Sequence, residues 1–200
     1  GRKVNYDNQK MMTMKMKIET ERLMLRSIVE NDDSDIFAYS KSLNVGRNAG
    51  WKPHENIEET REIMKQIFLN QPYMFGIVLK ENNKLIGTIG LIDDPKRANH
   101  HAKMLGFALS EDYWGKGLTT EASKAVLDLG FKDSETTIIT CCCYSFNQRS
   151  RRVIEKCGFR YEGCLRQCEM RYDGKVFDVE SYSLLQGEYR RILTDTLADT

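Results

Sequence analysis

Apolar and polar positions repeat along this chain with two different periods, and the switches between them outline its elements. Residues 19–27 alternate: Leu23 and Leu25 share one face while Arg22, Met24 and Arg26 share the other, the mark of a strand with one buried side. Asn31 and Asp32 offer N-caps to a short helix carrying Ile36, Phe37 and Tyr39. After Pro53, Asn56 with Glu59 three residues on makes an approximate capping box. Ile57, Ile63, Met64, Ile67 and Phe68 then follow at helical spacing as far as Pro72. Residues 74–80 and 85–91 read as strands around Glu81-Asn82-Asn83, a loop suited to positive φ. A strand over 103–110 runs into a glycine-bearing turn, and residues 119–131 form a helix with Ala122, Ala125, Val126 and Leu129 on one face.

The β-branched, Cys-rich run 136–144 is a buried strand. Residues 147–157 form a short helix stopped by Gly158, which suits the left-handed cap position. Residues 159–163 and a hairpin over 169–184, turning at Asp173-Gly174, complete the sheet. The order predicts an α+β fold with a mixed, largely antiparallel central sheet flanked by helices. It places one domain over residues 18–188, between an N-terminal tail, 1–17, and a C-terminal tail, 189–200.

Composition narrows the picture. The 200 residues suffice for one well-cored domain, and 40% hydrophobic with 30% charged residues is neither a disordered nor a membrane-embedded composition. A formal net charge of +1 gives no electrostatic case for nucleic acid or an anionic membrane as partner. No stretch approaches the ~20 apolar residues that span a bilayer, and no apolar signal core begins the sequence. Cys141, Cys142, Cys143, Cys157, Cys164 and Cys168 show no C-x-x-C pairing, and His54, His100 and His101 complete no zinc set, so no metal site is expected. Reduced thiols in a cytoplasmic protein fit this usage.

Two segments carry candidate chemistry. In Gly106-Phe107-Ala108-Leu109-Ser-Glu-Asp-Tyr-Trp114-Gly115-Lys116-Gly117-Leu118-Thr119-Thr120, a strand delivers the chain to glycines that open into a helix. Such a turn exposes backbone N–H groups at the positive end of a helix dipole and suits a phosphate or pyrophosphate. A ligand-free tight turn fits it equally. In Asn147-Gln-Arg149-Ser150-Arg151-Arg152-Val153-Ile154-Glu-Lys-Cys157-Gly158-Phe159, Asn147 is an N-cap, Val153 and Ile154 are core, and the arginines are either a solvated face or a phosphate grip.

Together these segments resemble the GNAT superfamily of N-acetyltransferases. Tyr113-Trp114-Gly115-Lys116-Gly117 and Glu162-Gly163-Cys164-Leu165-Arg166-Gln167 are further similar to its RimJ/RimL branch, which acetylates ribosomal-protein N-termini. The resemblance implies the GNAT acyl-CoA N-acyltransferase fold and acetyl-CoA as co-substrate. It implies that Trp114 to Thr120 hold the CoA pyrophosphate on backbone N–H groups, and that Phe107, Ala108 and Leu109 pair with the pantetheine arm and serve the thioester oxygen. Asn147 would then bind the cofactor, Ser150 would sit near the sulfur, and Glu169 would be the general base. Asp112 departs from the family's Arg or Gln, and Ile154 stands where many members carry a tyrosine acid.

The implied acceptor is an amine, either a protein N-terminus or a small molecule such as a polyamine, an amino acid or an antibiotic. A non-catalytic acyl-CoA-binding module is the rival of another class, and either a monomer or a homodimer fits. A lysine amine with pKa about 10.4 is only about 0.1% neutral at pH 7.4, a deficit of about 4 kcal/mol, whereas an α-amine is about a quarter to a third neutral. One water-linked carboxylate therefore suits an α-amine better. Loops around 45–54 and 97–102 are where acceptor choice is expected to lie.

Overall fold

A computed structural model describes residues 16–199, so the expected N-terminal tail lies almost entirely outside the described residues. Contacts divide the described residues into two compact units, one running to residue 90 with 107–122 and one of residues 91–106 with those from 123 onward.

In the first unit the strands are β1 (Ile18–Glu19), β2 (Leu23–Ser27), β3 (Met74–Leu79) and β4 (Lys84–Asp93), whose last residues belong to the second unit. They pair antiparallel in that order, with Leu25 opposite Ile77 and Phe75 opposite Ile89. The single strand expected over 19–27 is broken, because the chain turns at Thr20–Arg22, where the Thr20 amide donates to Leu23 O at 2.9 Å. Alternation in β2 does what its pattern predicts, since Leu23 and Leu25 are both fully buried. Asn83 takes the positive φ of 56° expected of its loop.

Helices α1 (Asp33–Ser40), α2 (Leu43–Ala49) and α3 (Ile57–Ile63), the last continuing as a π-helical turn over Met64–Phe68, belong to this unit too. Asp32 stands at the N-cap position of α1, but its carboxylate serves the Val29 amide and the Arg26 guanidinium (both at 2.8 Å) in place of the helix end. Asn56 caps α3 as its spacing predicts, accepting from the Glu59 amide at 2.9 Å. Residues 45–54 are expected as loop, but 43–49 form α2. Its signals are local: Ser42 accepts from the Val45 amide, and Gly50 at φ 94° ends the helix. Ile28, Ile36, Tyr39, Val45, Met64, Val78 and Leu85 make the core of this unit, each fully buried aliphatic side chain contributing about 1.5–3 kcal/mol.

The second unit is built on β5 (Ala102–Leu109), whose last three residues lie in the first unit, with β6 (Ile138–Tyr144), β7 (Arg160–Met170) and β8 (Val176–Leu185). The β5 and β6 strands run parallel, but their ladder is short, pairing Ala102–Met104 with Ile138–Thr140. Antiparallel pairing then joins β6 to β8 and β8 to β7. Thus the mixed, largely antiparallel sheet of an α+β fold is present. What reads in sequence as separate strands at 159–163 and 169 is one strand, β7. It bulges between Leu165 and Glu169, where Gln167 takes φ 48° and its amide donates to Asp178 Oδ1 at 2.7 Å.

Helix α4 (Leu118–Lys132) begins in the first unit and continues in the second. Its buried stripe is Leu118, Ala122, Ser123, Val126, Leu127 and Phe131, rotated from the expected face, so Ala125 and Leu129 are only half-buried. Helix α5 (Gln148–Lys156) ends at Gly158, whose φ of 88° is the left-handed cap predicted. The segment after 188, expected as tail, continues helix α6 (Gln186–Ala198), with Tyr189 buried and its hydroxyl donating to Asp128 Oδ1 at 3.0 Å. Among the described residues no helix is long and apolar enough to cross a membrane.

Candidate functional site

The turn before α4 is built entirely by the first unit. After β5 a 3-10 turn, Glu111–Tyr113, carries the chain into Trp114–Gly117. Its placement is over-determined. The Trp114 indole N–H donates to Leu109 O at 2.8 Å, and the Glu111 carboxylate accepts from Asn44 at 2.7 Å and from Ser42 at 3.2 Å. Gly115 and Gly117 adopt φ 75° and 77°, backbone that a side chain reaches only at a cost of about 1–2 kcal/mol. A Cβ at Gly115 would meet nothing within 4 Å, and one at Gly117 would meet only Arg22 Nη2 at 3.5 Å. The glycines therefore serve backbone geometry in front of open space. No tight internal packing demands them.

The first intrahelical bond of α4 runs from the Glu121 amide to Gly117 O at 3.1 Å, which leaves the N–H groups of Leu118, Thr119 and Thr120 as the unpaired donors of a helix start. A diphosphate is the natural occupant of such a cradle. Arg22, which sequence reasoning did not single out, stands beside it. Its guanidinium donates to Lys116 O at 2.8 Å and to Glu121 Oε1 at 2.8 Å, and the same carboxylate accepts from Thr20 Oγ1 at 2.6 Å and from the Arg22 amide at 2.9 Å. Burial works against the Glu121 charge, but these three hydrogen bonds and the Arg22 charge outweigh it and hold the carboxyl below its ordinary pKa. Lys116 is exposed, its ammonium 5.4 Å from the Tyr113 ring centre. Two cations thus border the cradle, and the donor set fits the phosphates of coenzyme A.

Of the strand residues expected beside it, Ala108 and Leu109 are buried and Phe107 is half-buried. The Ser110 amide donates to Ile86 O at 2.7 Å, and a Cβ on Gly87 would fall 2.3 Å from Ala108 O, so β4 can lie this close only with glycine at 87. Asp112 is exposed.

The remaining candidates lie in the second unit. Asn147 is 5% exposed and caps α5, its Oδ1 accepting from the Ser150 amide at 3.1 Å. That leaves Ser150 in the first turn, half-buried. Ile154 is core at 1% exposure. Arg149, Arg151 and Arg152 are not a uniform solvated face, since Arg151 turns inward, donating to Ser145 O at 3.2 Å and lying 3.5 Å from Glu180.

Glu169 follows the β7 bulge, opposite Phe177 on β8. Its carboxylate meets the Lys96 ammonium at 3.9 Å, and its charge is felt by the Tyr144 phenol. Burial, with the charge of Glu169 behind it, pushes the Tyr144 phenol above its ordinary pKa. The Lys96 Nζ also donates to Cys142 Sγ at 3.6 Å. Burial opposes the lysine's charge, and the Cys142 and Glu169 groups outweigh it, so its pKa is raised. Tyr144, Phe146 and Phe177 pack together around this point with ring centres 5.2–5.4 Å apart. Glu169 was legible in the sequence. Lys96 and Tyr144 were not, because nothing local to a loop lysine or a strand-end tyrosine marks either as a neighbour of a distant glutamate.

Among the described residues no cysteine forms a disulfide and no metal-holding cluster occurs. Burial pushes Cys143 and Cys157 up to about 11, and Cys141 well above its ordinary value, which removes them as nucleophiles.

Comparison with known proteins shows the family and the fold. The model of the acetyltransferase (GNAT) domain matches residues 22–160. An uncharacterized N-acetyltransferase of Bacillus licheniformis is 31% identical over 177 residues, covering 85% of this chain and 96% of that protein. The crystal structure of an acetyltransferase (GNAT family) from Bacillus anthracis superposes with a TM-score of 0.76 at 27% identity, over 86% of this chain and 100% of that one. A putative ribosomal-protein-serine acetyltransferase from Vibrio cholerae has the same fold, with a TM-score of 0.72 at 22% identity over 87% and 99% of the two chains.

Proposed function

The chain belongs to the GNAT acetyltransferase family and is an acetyl-CoA-dependent N-acetyltransferase, and on that footing we propose that its acceptor is the α-amine of a protein or peptide N-terminus, as in the RimJ/RimL type. The observation that carries the donor half is the glycine turn at 115–117, open in front and backed by the free N–H groups of α4.

In this reading the Gly115–Thr120 backbone grips the diphosphate, with Arg22 and Lys116 adding charge. The Phe107–Leu109 strand aligns the pantetheine arm and supplies an N–H to the thioester oxygen, a donor worth about 3 kcal/mol as the oxyanion develops. Asn147 holds the cofactor and Ser150 lies by the leaving sulfur. Glu169, through water, takes the proton from the amine as nitrogen attacks the carbonyl carbon. The C–N bond forms, the C–S bond breaks, and the coenzyme leaves as its thiolate, which is then protonated. An α-amine supports this reading because its neutral fraction is already large, so one exposed carboxylate suffices. The RimJ/RimL-like run Glu162 to Gln167 and the Vibrio cholerae protein's name support the same choice.

The test is calorimetry with coenzyme A alongside thiol-release assays. Gly117→Ala should weaken coenzyme A binding at least tenfold. Gly174→Ala is the control: it imposes similar backbone strain at φ 81° in the β7–β8 turn, again with open space around the added carbon, and should leave binding unchanged. Glu169→Gln should keep the affinity and lower turnover of N-terminal peptides by about 10²-fold or more. Equal binding in both glycine variants would remove the diphosphate cradle, and faster turnover of spermidine than of any N-terminal peptide would remove the acceptor.

A further inference from the structure

Lys96 stands against Glu169, and the acetyl-transfer chemistry itself does not require it there. Its backbone is pinned: the Lys96 amide donates to Asp94 Oδ1 at 2.9 Å, and Asp94 is buried and accepts from Thr140 Oγ1 on β6 at 2.9 Å. From that anchor the side chain runs along the β6 face that carries Thr140, Cys142 and Tyr144, residues two apart on a strand. Its ammonium ends 3.6 Å from Cys142 Sγ and 3.9 Å from Glu169 Oε1.

The neighbouring cations are committed elsewhere. Arg97 pairs with Asp94 at 3.3 Å and with Glu162, and Arg171 with Asp173 at 2.6 Å. Arg97 is thus shared between two carboxylates and Arg171 is engaged by Asp173, which leaves Lys96 as the cation that meets Glu169. Beside the Glu169 carboxylate itself, therefore, the nearest fixed charge is the positive one of Lys96. Its other wall is the aromatic group Tyr144, Phe146 and Phe177, with Phe146 still 42% exposed. An acceptor bringing one amine on a neutral body meets a carboxylate and apolar surface. A polyamine would bring further ammonium groups against a fixed ammonium at a site with one carboxylate already answered, and like charges set this close discriminate against the wrong partner.

We propose that Lys96 is the specificity-determining residue of the acceptor side, selecting amines on bodies without further positive charge and rejecting polyamines. It rests on the reading of Glu169 as the base that meets the acceptor. The experiment compares kcat/KM for an uncharged-body peptide with a free α-amine against that for spermidine, in the full chain. The native chain should prefer the peptide at least tenfold. Lys96→Met and the second neutral variant Lys96→Gln should each cut that preference about tenfold, through a lower KM for spermidine with the peptide KM little changed. Lys96→Arg, which keeps the charge, should keep the preference, and coenzyme A affinity should be the same in all of them.

An unchanged preference in both neutral variants overturns the proposal, as does a native chain that favours spermidine. The two assignments fail separately. Undiminished turnover in Glu169→Gln removes the base, whereas an unchanged preference with Glu169→Gln still inactive removes only the role of Lys96.

Discussion

His54 illustrates how a single side chain ties stability to pH. It is 6% exposed, and its Nδ1 lies 2.8 Å from Thr60 Oγ1, itself fully buried. Burial holds the imidazole below its ordinary 6.5, with Glu59 pulling weakly the other way. The folded chain therefore keeps His54 neutral where the unfolded chain takes up a proton. Its contribution is fully present above about pH 6.5 and is lost as pH falls through that value toward the lowered folded pKa. The urea midpoint should drop between pH 7 and pH 5, and His54→Gln, which can still reach Thr60, should flatten that part of the profile. An identical slope in the variant would assign the dependence to other groups. Conventional motif reading found no role for His54, and only its burial supplies one.

At the scale of elements, the ends of helices carry more information than their middles. Helix α5 is capped by Asn147 in front and stopped by Gly158 behind, and both were legible from residue type alone because capping is a local hydrogen-bond problem. Gly158 has a second constraint that the sequence does not disclose: a Cβ there would come within 2.6 Å of Ile192 Cδ1 on α6. Gly158→Ala should lower the unfolding free energy by about 1–2 kcal/mol from backbone strain alone. The double variant with Ile192→Ala separates the causes, since it relieves the contact and leaves φ as it was. Full recovery in the double variant would show that the contact, and not the left-handed backbone, forbids a side chain. Missed elements have the converse explanation. Residues 43–49 hold few large apolar residues, so periodicity was silent, and only the Ser42 and Gly50 caps marked α2.

Across the whole molecule, six thiols sort by environment. Cys164 and Cys168 on β7 are exposed, Cys142 is half-buried, and Cys141, Cys143 and Cys157 are buried. Alkylation at pH 7.5 followed by peptide mass spectrometry should label Cys164 and Cys168 first. The three buried thiols should react only after denaturant, because burial both hides them and keeps them protonated. Rapid labelling of Cys141 would mean that the β6 strand opens readily in the native state. The family membership also belongs to this scale, since it spans residues 22–160 and no single motif within them would have sufficed.

Most of the order of strands and helices, though not α2 or α6, was written in the linear sequence, as were the caps at Asn56, Asn147 and Gly158, the glycine turn at 115–117 and the family itself. They depend on interactions between residues a few positions apart, which periodicity and residue type report directly. Tertiary structure decided the rest: the break after β1, the rotated face of α4, Arg22 and Glu121 bracing the turn, and Lys96 with Tyr144 meeting Glu169. Those contacts join residues far apart in the chain, and a side chain's charge carries no record of which distant partner folding will set beside it.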